Sequence, residues 1–167
     1  ARPINVYTPP GYHEAPAARF PVLYMPDGGI DEDFPHVVNT VDSLIALGAI
    51  RPLLVVGIPN TQRRRDLTGP TRVASDSAIA PTVGGAAAFR RFVADELIPA
   101  VEDRYRVTGE RAIVGESLAG LFVLETFLAE TRGAIAGQPD KVEVGQDRIL
   151  NPVYSELRQK QNNLSAQ

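Results

Sequence analysis

The 167-residue chain contains no cysteine. Disulfides, thiolate zinc sites, iron–sulfur clusters and cysteine nucleophiles are therefore excluded, although this absence chooses no compartment. Histidine is scarce: His13 and His36 are the only two. No apolar run reaches about 18 residues, so no transmembrane helix is expected. The opening Ala1-Arg2-Pro3-Ile4-Asn5 lacks the charged-then-apolar layout of a signal peptide, and the expectation is a soluble chain of unassigned compartment. An excess of positive charge is also missing. The formal net charge of −3 argues against charge-driven binding to nucleic acid or to a membrane surface.

What is present fits a folded domain. Hydrophobic residues make up 44% and charged residues 22%, close to globular averages. A chain of this length buries roughly 70% of the surface that it exposes when unfolded, enough for a core without staples. The composition shifts near residue 140. Lys141 and Lys160 both lie beyond it, and Gln138, Gln146, Gln159, Gln161 and Gln167 crowd the end, with Gln62 alone upstream. Residues 1–137 are expected to form one domain and 138–167 a divergent tail with a short helix.

Apolar periodicity sets out the elements. Ile4–Thr8 is β-prone and stops at Pro9-Pro10-Gly11. Phe20–Met25 is a second strand, closed by Pro26-Asp27-Gly28-Gly29. Val37, Val41, Leu44, Ile45 and Leu47 mark a helix that Gly48 stops. Leu53–Ile58 is almost wholly apolar, as a parallel strand covered on both faces would be. A long polar stretch from Pro59 to about Gly84 carries Arg63-Arg64-Arg65-Asp66. A helix from Gly85 to about Tyr105 follows, with Pro99 as a kink point. Arg111–Val114 is a further strand, and Leu118 to about Glu130 a helix with Leu121, Leu124, Glu125 and Leu128 at i, i+3, i+4 and i+7. Alternating strands and helices indicate an α/β layered domain with a mostly parallel sheet.

The chemistry-bearing stretch is Ile113-Val114-Gly115-Glu116-Ser117-Leu118-Ala119-Gly120. A strand ends, a tight turn holds a serine, and a helix begins, as in a nucleophile elbow. Such a turn needs small residues two positions either side of the serine, and Gly115 and Ala119 meet that need. The Leu118 N–H, at the helix start, is aimed at a developing oxyanion. The alternative is that Ser117 merely caps the helix. Gly115 and Gly120 also match P-loop glycine spacing, but Leu121-Phe122 replaces the required Lys-Ser/Thr, which excludes that reading. Pro26-Asp27-Gly28-Gly29 is a strand running into a glycine-rich loop, either a second source of oxyanion donors at Gly28 and Gly29 or an ordinary strand-to-helix turn.

Residues 3 to about 130 resemble the putative esterase family of α/β-hydrolases, a group that includes enterochelin esterases, feruloyl esterases, S-formylglutathione hydrolase and the mycolyltransferase antigens. The resemblance rests on Val6-Tyr7-Thr8-Pro9-Pro10-Gly11-Tyr12, Pro21–Gly28, Arg65-Asp66-Leu67-Thr68, Phe92–Pro99 and the turn at 115–120, in the family's order. It implies an α/β-hydrolase-like three-layer sandwich, with Ser117 as nucleophile and oxyanion donors at Leu118 and the loop of Asp27 to Gly29. It also places the Arg-rich loop beside the substrate cleft. Asp27, Arg64, Arg65 and Glu116 are the candidates for substrate contact, since Arg forks match carboxylates; a solvated loop is the plainer account of the arginines.

The pattern then breaks. The family's acid and histidine follow the serine, whereas His13 and His36 both precede Ser117. Asp140 and Asp147 follow it too closely to be the acid, and neither is assigned. The strands expected after the serine's helix are missing. In the tail, Leu150, Tyr154, Leu157, Gln161 and Leu164 form about two heptads after Asn151-Pro152. That helix either docks on the domain, frays, or offers a contact between copies. Asp31-Glu32-Asp33 lacks the pattern of a calcium loop, so no metal is assigned, and no cofactor is implied. The expected function is hydrolysis of a small-molecule carboxylic ester through an acyl-enzyme on Ser117. The alternatives are acyl transfer on the same fold and a catalytically incomplete scaffold that binds a partner.

Overall fold

The computed structural model describes the backbone of residues 2–137, and the side chains of all of these except 76, 77, 79 and 130–137. The tail helix expected around Leu150–Leu164, and Asp140 and Asp147, lie outside the described residues. The chain divides after Leu128, and the unit that carries the candidate site is Ala1–Leu128.

Four strands form one sheet in the order β1-β3-β2-β4: β1 (Asn5–Tyr7), β2 (Phe20–Pro26), β3 (Leu54–Ile58) and β4 (Val107–Ile113). The apolar run at 54–58 takes the interior place that its composition demands. Every residue of β3 is buried, with β1 antiparallel on one side and β2 parallel on the other. β4 runs parallel to β2 and, among the described residues, pairs with no other strand. Thr108 to Ala112 are correspondingly half-buried or exposed. The mixed α/β architecture agrees with the expected fold class.

Helix α1 (Phe34–Ala46) starts with Pro35 in its first turn, where a missing N–H costs nothing. It ends where expected: Gly48 adopts φ +65°, and the Leu47 and Gly48 amides close the last turn on Ser43 and Ile45. Two short helices, α2 (Arg63–Leu67) and α3 (Ala74–Ile79), break up the long polar stretch. The next helix is not uniform. Between α4 (Ala86–Arg91) and α5 (Ile98–Arg104) the chain widens into a π-helical segment over Phe92–Leu97. Pro99 lies just beyond it. Proline has no N–H to return to the preceding turn, and the helix widens in the turn before it.

Helix α6 (Leu118–Gly137) follows β4. Its buried contacts are made by Ala119 and Phe122, which join Tyr24, Phe89, Leu97 and Leu54 in the main core. Leu121, Leu124 and Leu128, whose spacing marks the helix in the sequence, are 43%, 55% and 47% exposed. The stripe that reveals the helix is therefore not the face that it buries here. A second, smaller core joins Met25 and Val55 to Phe34 and Val41 of α1 across the other face of the sheet. No described helix is long and apolar enough to cross a membrane.

Candidate active site

The connections place the site. The crossover from β2 to β3 leads to one side of β2, and that from β3 to β4 returns to the other. Successive connections that diverge in this way leave a crevice at the carboxyl ends of the strands. The register shows which residues meet there. Pro26 is level with Ile58, and Tyr24 with Ile113. The segments just beyond, Asp27–Gly29, Pro59–Asn60 and Gly115–Ser117, thus emerge side by side at one edge of the sheet.

At that edge Ser117 has φ +54°. A serine that simply caps a helix sits in extended backbone with its hydroxyl on an amide of the first turn. Here the backbone is left-handed, a conformation that costs an ordinary residue about 1–2 kcal/mol. The Val114 amide still donates to the Tyr24 carbonyl (3.0 Å), so the ladder holds until three residues before the serine. The helix then begins at once, with the Leu121 amide donating to the Ser117 carbonyl (3.0 Å). Ser117 and Glu116 are exposed. Among the described residues neither the Ser117 hydroxyl nor the Leu118 N–H has a hydrogen-bond partner.

The small neighbours are needed as expected. A Cβ on Gly115 would lie 2.6 Å from the Ala119 carbonyl oxygen and 2.8 Å from the Ala119 Cβ. Strand end and helix start touch at this point, which holds the turn tight. Gly120 is close too, its virtual Cβ 3.1 Å from the Gly115 carbonyl oxygen.

The loop after β2 is tied down by hydrogen bonds at Asp27, Gly28 and Gly29. Asp27 is the other non-glycine residue with positive φ, +58°. A Cβ on Gly28 would run into the backbone of Gly57 and Ile58, so only glycine fits. The two amides expected to serve as oxyanion donors are both engaged. Gly28 N–H donates to the Ile58 carbonyl (3.1 Å), and Gly29 N–H donates to Glu32 Oε2 (2.7 Å). Of the expected donors, the Leu118 N–H alone is open in this arrangement.

The expected contact residues divide likewise. Asp27 is buried, and its carboxylate receives a two-pronged fork from Arg63, Nε to Oδ1 and Nη2 to Oδ2, both 2.8 Å. Asn60 Nδ2 adds a third bond to Oδ1 (2.5 Å). Burial works to raise the Asp27 pKa, but the bonds from Arg63 and Asn60 outweigh it and hold the carboxyl below its usual range. The same pair raises Arg63. Arg65 donates to Asp66 (2.7 Å), as does Arg2 (2.5 Å). Burial raises Asp66, yet the bonds from Arg65, Arg2 and Thr61 bring it below normal. Arg2 also lies over Phe89 and Phe92, 4.9 and 5.4 Å from their ring centres, which ties the N-terminus to α4. Arg64 is exposed, as are His13 and His36. Among the described residues no group of three or more acidic or histidine side chains could hold a metal ion.

Sequence reasoning missed Asn60, Arg63 as a partner of Asp27, and the role of Glu32. One signal was available: a polar residue, Asn60, two positions beyond a wholly apolar strand, at the edge where α/β sheets place their sites.

A parallel core with a left-handed serine between strand and helix, at the diverging edge of the sheet, places the chain among proteins of α/β-hydrolase-like fold. The chain belongs to the putative esterase family, whose model matches residues 1–132. It is 32% identical over 155 residues to the ferri-bacillibactin esterase BesA of Bacillus subtilis, covering 79% of this chain and 50% of that protein. In three dimensions it is similar to an IroE-like serine hydrolase from Shewanella oneidensis, at 30% identity and TM-score 0.70, over 77% of this chain and 42% of that one. The siderophore hydrolase EstA from Aspergillus nidulans matches at 27% identity and TM-score 0.63, over 77% of this chain and 48% of its own. The chain spans about half the length of these relatives.

Proposed function

We propose that this chain carries the nucleophile-bearing half of a serine ester hydrolase. The observation that carries the reading is the left-handed Ser117 at the carboxyl edge, exposed and with its hydroxyl unbonded among the described residues. Ser117 Oγ attacks the ester carbonyl carbon and the Oγ proton passes to a base. The carbonyl oxygen becomes an oxyanion that takes the Leu118 N–H, favoured by the start of α6. The intermediate then collapses: the carbon–oxygen bond to the alcohol breaks, the alcohol leaves with a proton, and the acyl group stays on Ser117. Water then cleaves the acyl-enzyme and releases the acid.

The substrate class proposed is the ester linkage of siderophores, supported by what BesA and EstA are named for. No histidine follows Ser117 in the sequence, so the base is assigned to no residue of this chain. The alternative reading is an esterase-like scaffold that binds without turnover.

Incubation with p-nitrophenyl acetate, followed by mass mapping, separates the two. The hydrolase reading expects acetyl on Ser117, slow release of p-nitrophenol, and neither in Ser117→Ala. An unmodified Ser117 after prolonged incubation supports the scaffold. Added acceptor alcohols distinguish transfer from hydrolysis by the product formed.

A further inference from the structure

Glu32 stands outside the catalytic roles above, yet its carboxylate joins two of the three loops at the site. Oε2 accepts from Gly29 N–H (2.7 Å), in the loop after β2. Oε1 accepts from Asn60 N–H (3.2 Å) and from Asn60 Nδ2 (2.9 Å), in the loop after β3. Asn60 Nδ2 also donates to Asp27 Oδ1, and Asp27 is held in turn by the Arg63 fork. A continuous chain thus runs Gly29–Glu32–Asn60–Asp27–Arg63.

The carbonyls of Asp27, Gly28 and Gly29 are bonded as well. The Gly28 carbonyl accepts from Asn5 Nδ2 (2.7 Å), the Asp27 carbonyl from the Asp33 amide (3.2 Å), and the Gly29 carbonyl from the Glu32 amide (3.1 Å). Glu32 is half-buried, where charge-assisted bonds are stronger than at an open surface. Among the described residues, its carboxylate is the one side-chain group that binds both loops through backbone amides.

We propose that Glu32 is a positioning residue. By fastening Gly29 to Asn60, it fixes the wall of the crevice that stands beside Gly115–Ser117, and so sets how a carbonyl group can approach Ser117. The inference deepens the hydrolase reading and rests on it. Glu32 touches no reacting atom; it acts through the two loops.

The test uses the 167-residue chain, a fluorophosphonate probe, and the variants Glu32→Gln and Glu32→Ala. The amide side chain keeps one oxygen to accept from Gly29 or Asn60, whereas alanine keeps none. Labelling of Ser117 is expected to slow about tenfold in Glu32→Ala and by no more than about threefold in Glu32→Gln. Added acetate, a free carboxylate of matching chemistry, is expected to restore part of the loss in Glu32→Ala and nothing in the wild type. A merely structural role would not give that rescue. Equal rates in all three proteins overturn the proposal. So does faster labelling of Glu32→Ala, which would mean that the carboxylate blocks the Gly29 N–H instead of anchoring it.

Hydrogen exchange at the Gly29 and Asn60 amides separates this inference from the hydrolase reading. If wild-type Ser117 takes no label, the hydrolase reading fails and exchange alone decides the fastening. Exchange at both amides about tenfold faster in Glu32→Ala, and intermediate in Glu32→Gln, supports it. Unchanged exchange contradicts it.

Discussion

The two parallel neighbours β3 and β4 flank the same strand, yet they live in opposite surroundings. β3 is buried throughout, has a partner on each side, and ends in a loop whose polar groups are paired across Glu32, Asp27 and Arg63. β4 is paired on one side among the described residues, is largely exposed, and leads into a helix that shows three leucines to solvent. The serine lies at the junction of β4 and that helix. Order at the carboxyl edge is thus supplied mainly from the β2–β3 side, through the ladder to β4 and the contact of Gly115 with Ala119.

That contrast can be broken by mutation. Phe122 is fully buried among Phe89 and the core, and Phe122→Ala is expected to cost about 3–5 kcal/mol in urea unfolding. Leu124→Ala, two residues from Phe122 and so about 200° round the helix from it, is expected to change stability by less than about 0.5 kcal/mol. Equal costs would mean that the exposed stripe is covered in solution.

Asp27→Asn tests the opposite side. It keeps the shape and removes the charge that the Arg63 fork engages. Because Arg63 is 40% exposed at its side chain, the loss at pH 7 is expected to be modest, about 1–2 kcal/mol. The pH dependence has a definite sign. Asp27 and Asp66 have depressed pKa values in the folded protein. Their stabilisation is present above the ordinary carboxylate pKa of about 4 and is lost as pH falls through the lower folded values. Acid titration of stability should therefore be flatter in Asp27→Asn than in the wild type, and unfolding monitored from pH 6 to pH 2 checks it.

One substitution is expected to give a gain. Ser117→Gly removes a side chain from left-handed backbone, and a stability increase of about 0.5–1 kcal/mol is expected, set against the greater freedom of glycine when unfolded. A loss would mean that the Ser117 side chain makes stabilising contacts.

The parts legible in the sequence are those that local chemistry decides. The almost wholly apolar run at 54–58 suits an interior strand and is one, Gly48 stops α1 as expected, and Gly115-Glu116-Ser117-Leu118-Ala119 forms the expected strand–turn–helix. What was not legible depends on distant pairings. Arg63 meets Asp27 from 36 positions away, and Asn60 meets Glu32 from 28. No periodicity records such meetings. The outward stripe of α6 shows the same limit: spacing identifies a helix and one apolar face, but Ala119 and Phe122 were chosen for burial by the tight turn at Gly115.

The account stands on the reactivity of a single hydroxyl, and covalent mapping with a fluorophosphonate reads it most directly. One adduct on Ser117, absent from Ser117→Ala, is the predicted result. An adduct confined to other serines, or none after prolonged exposure of the folded chain, would contradict it.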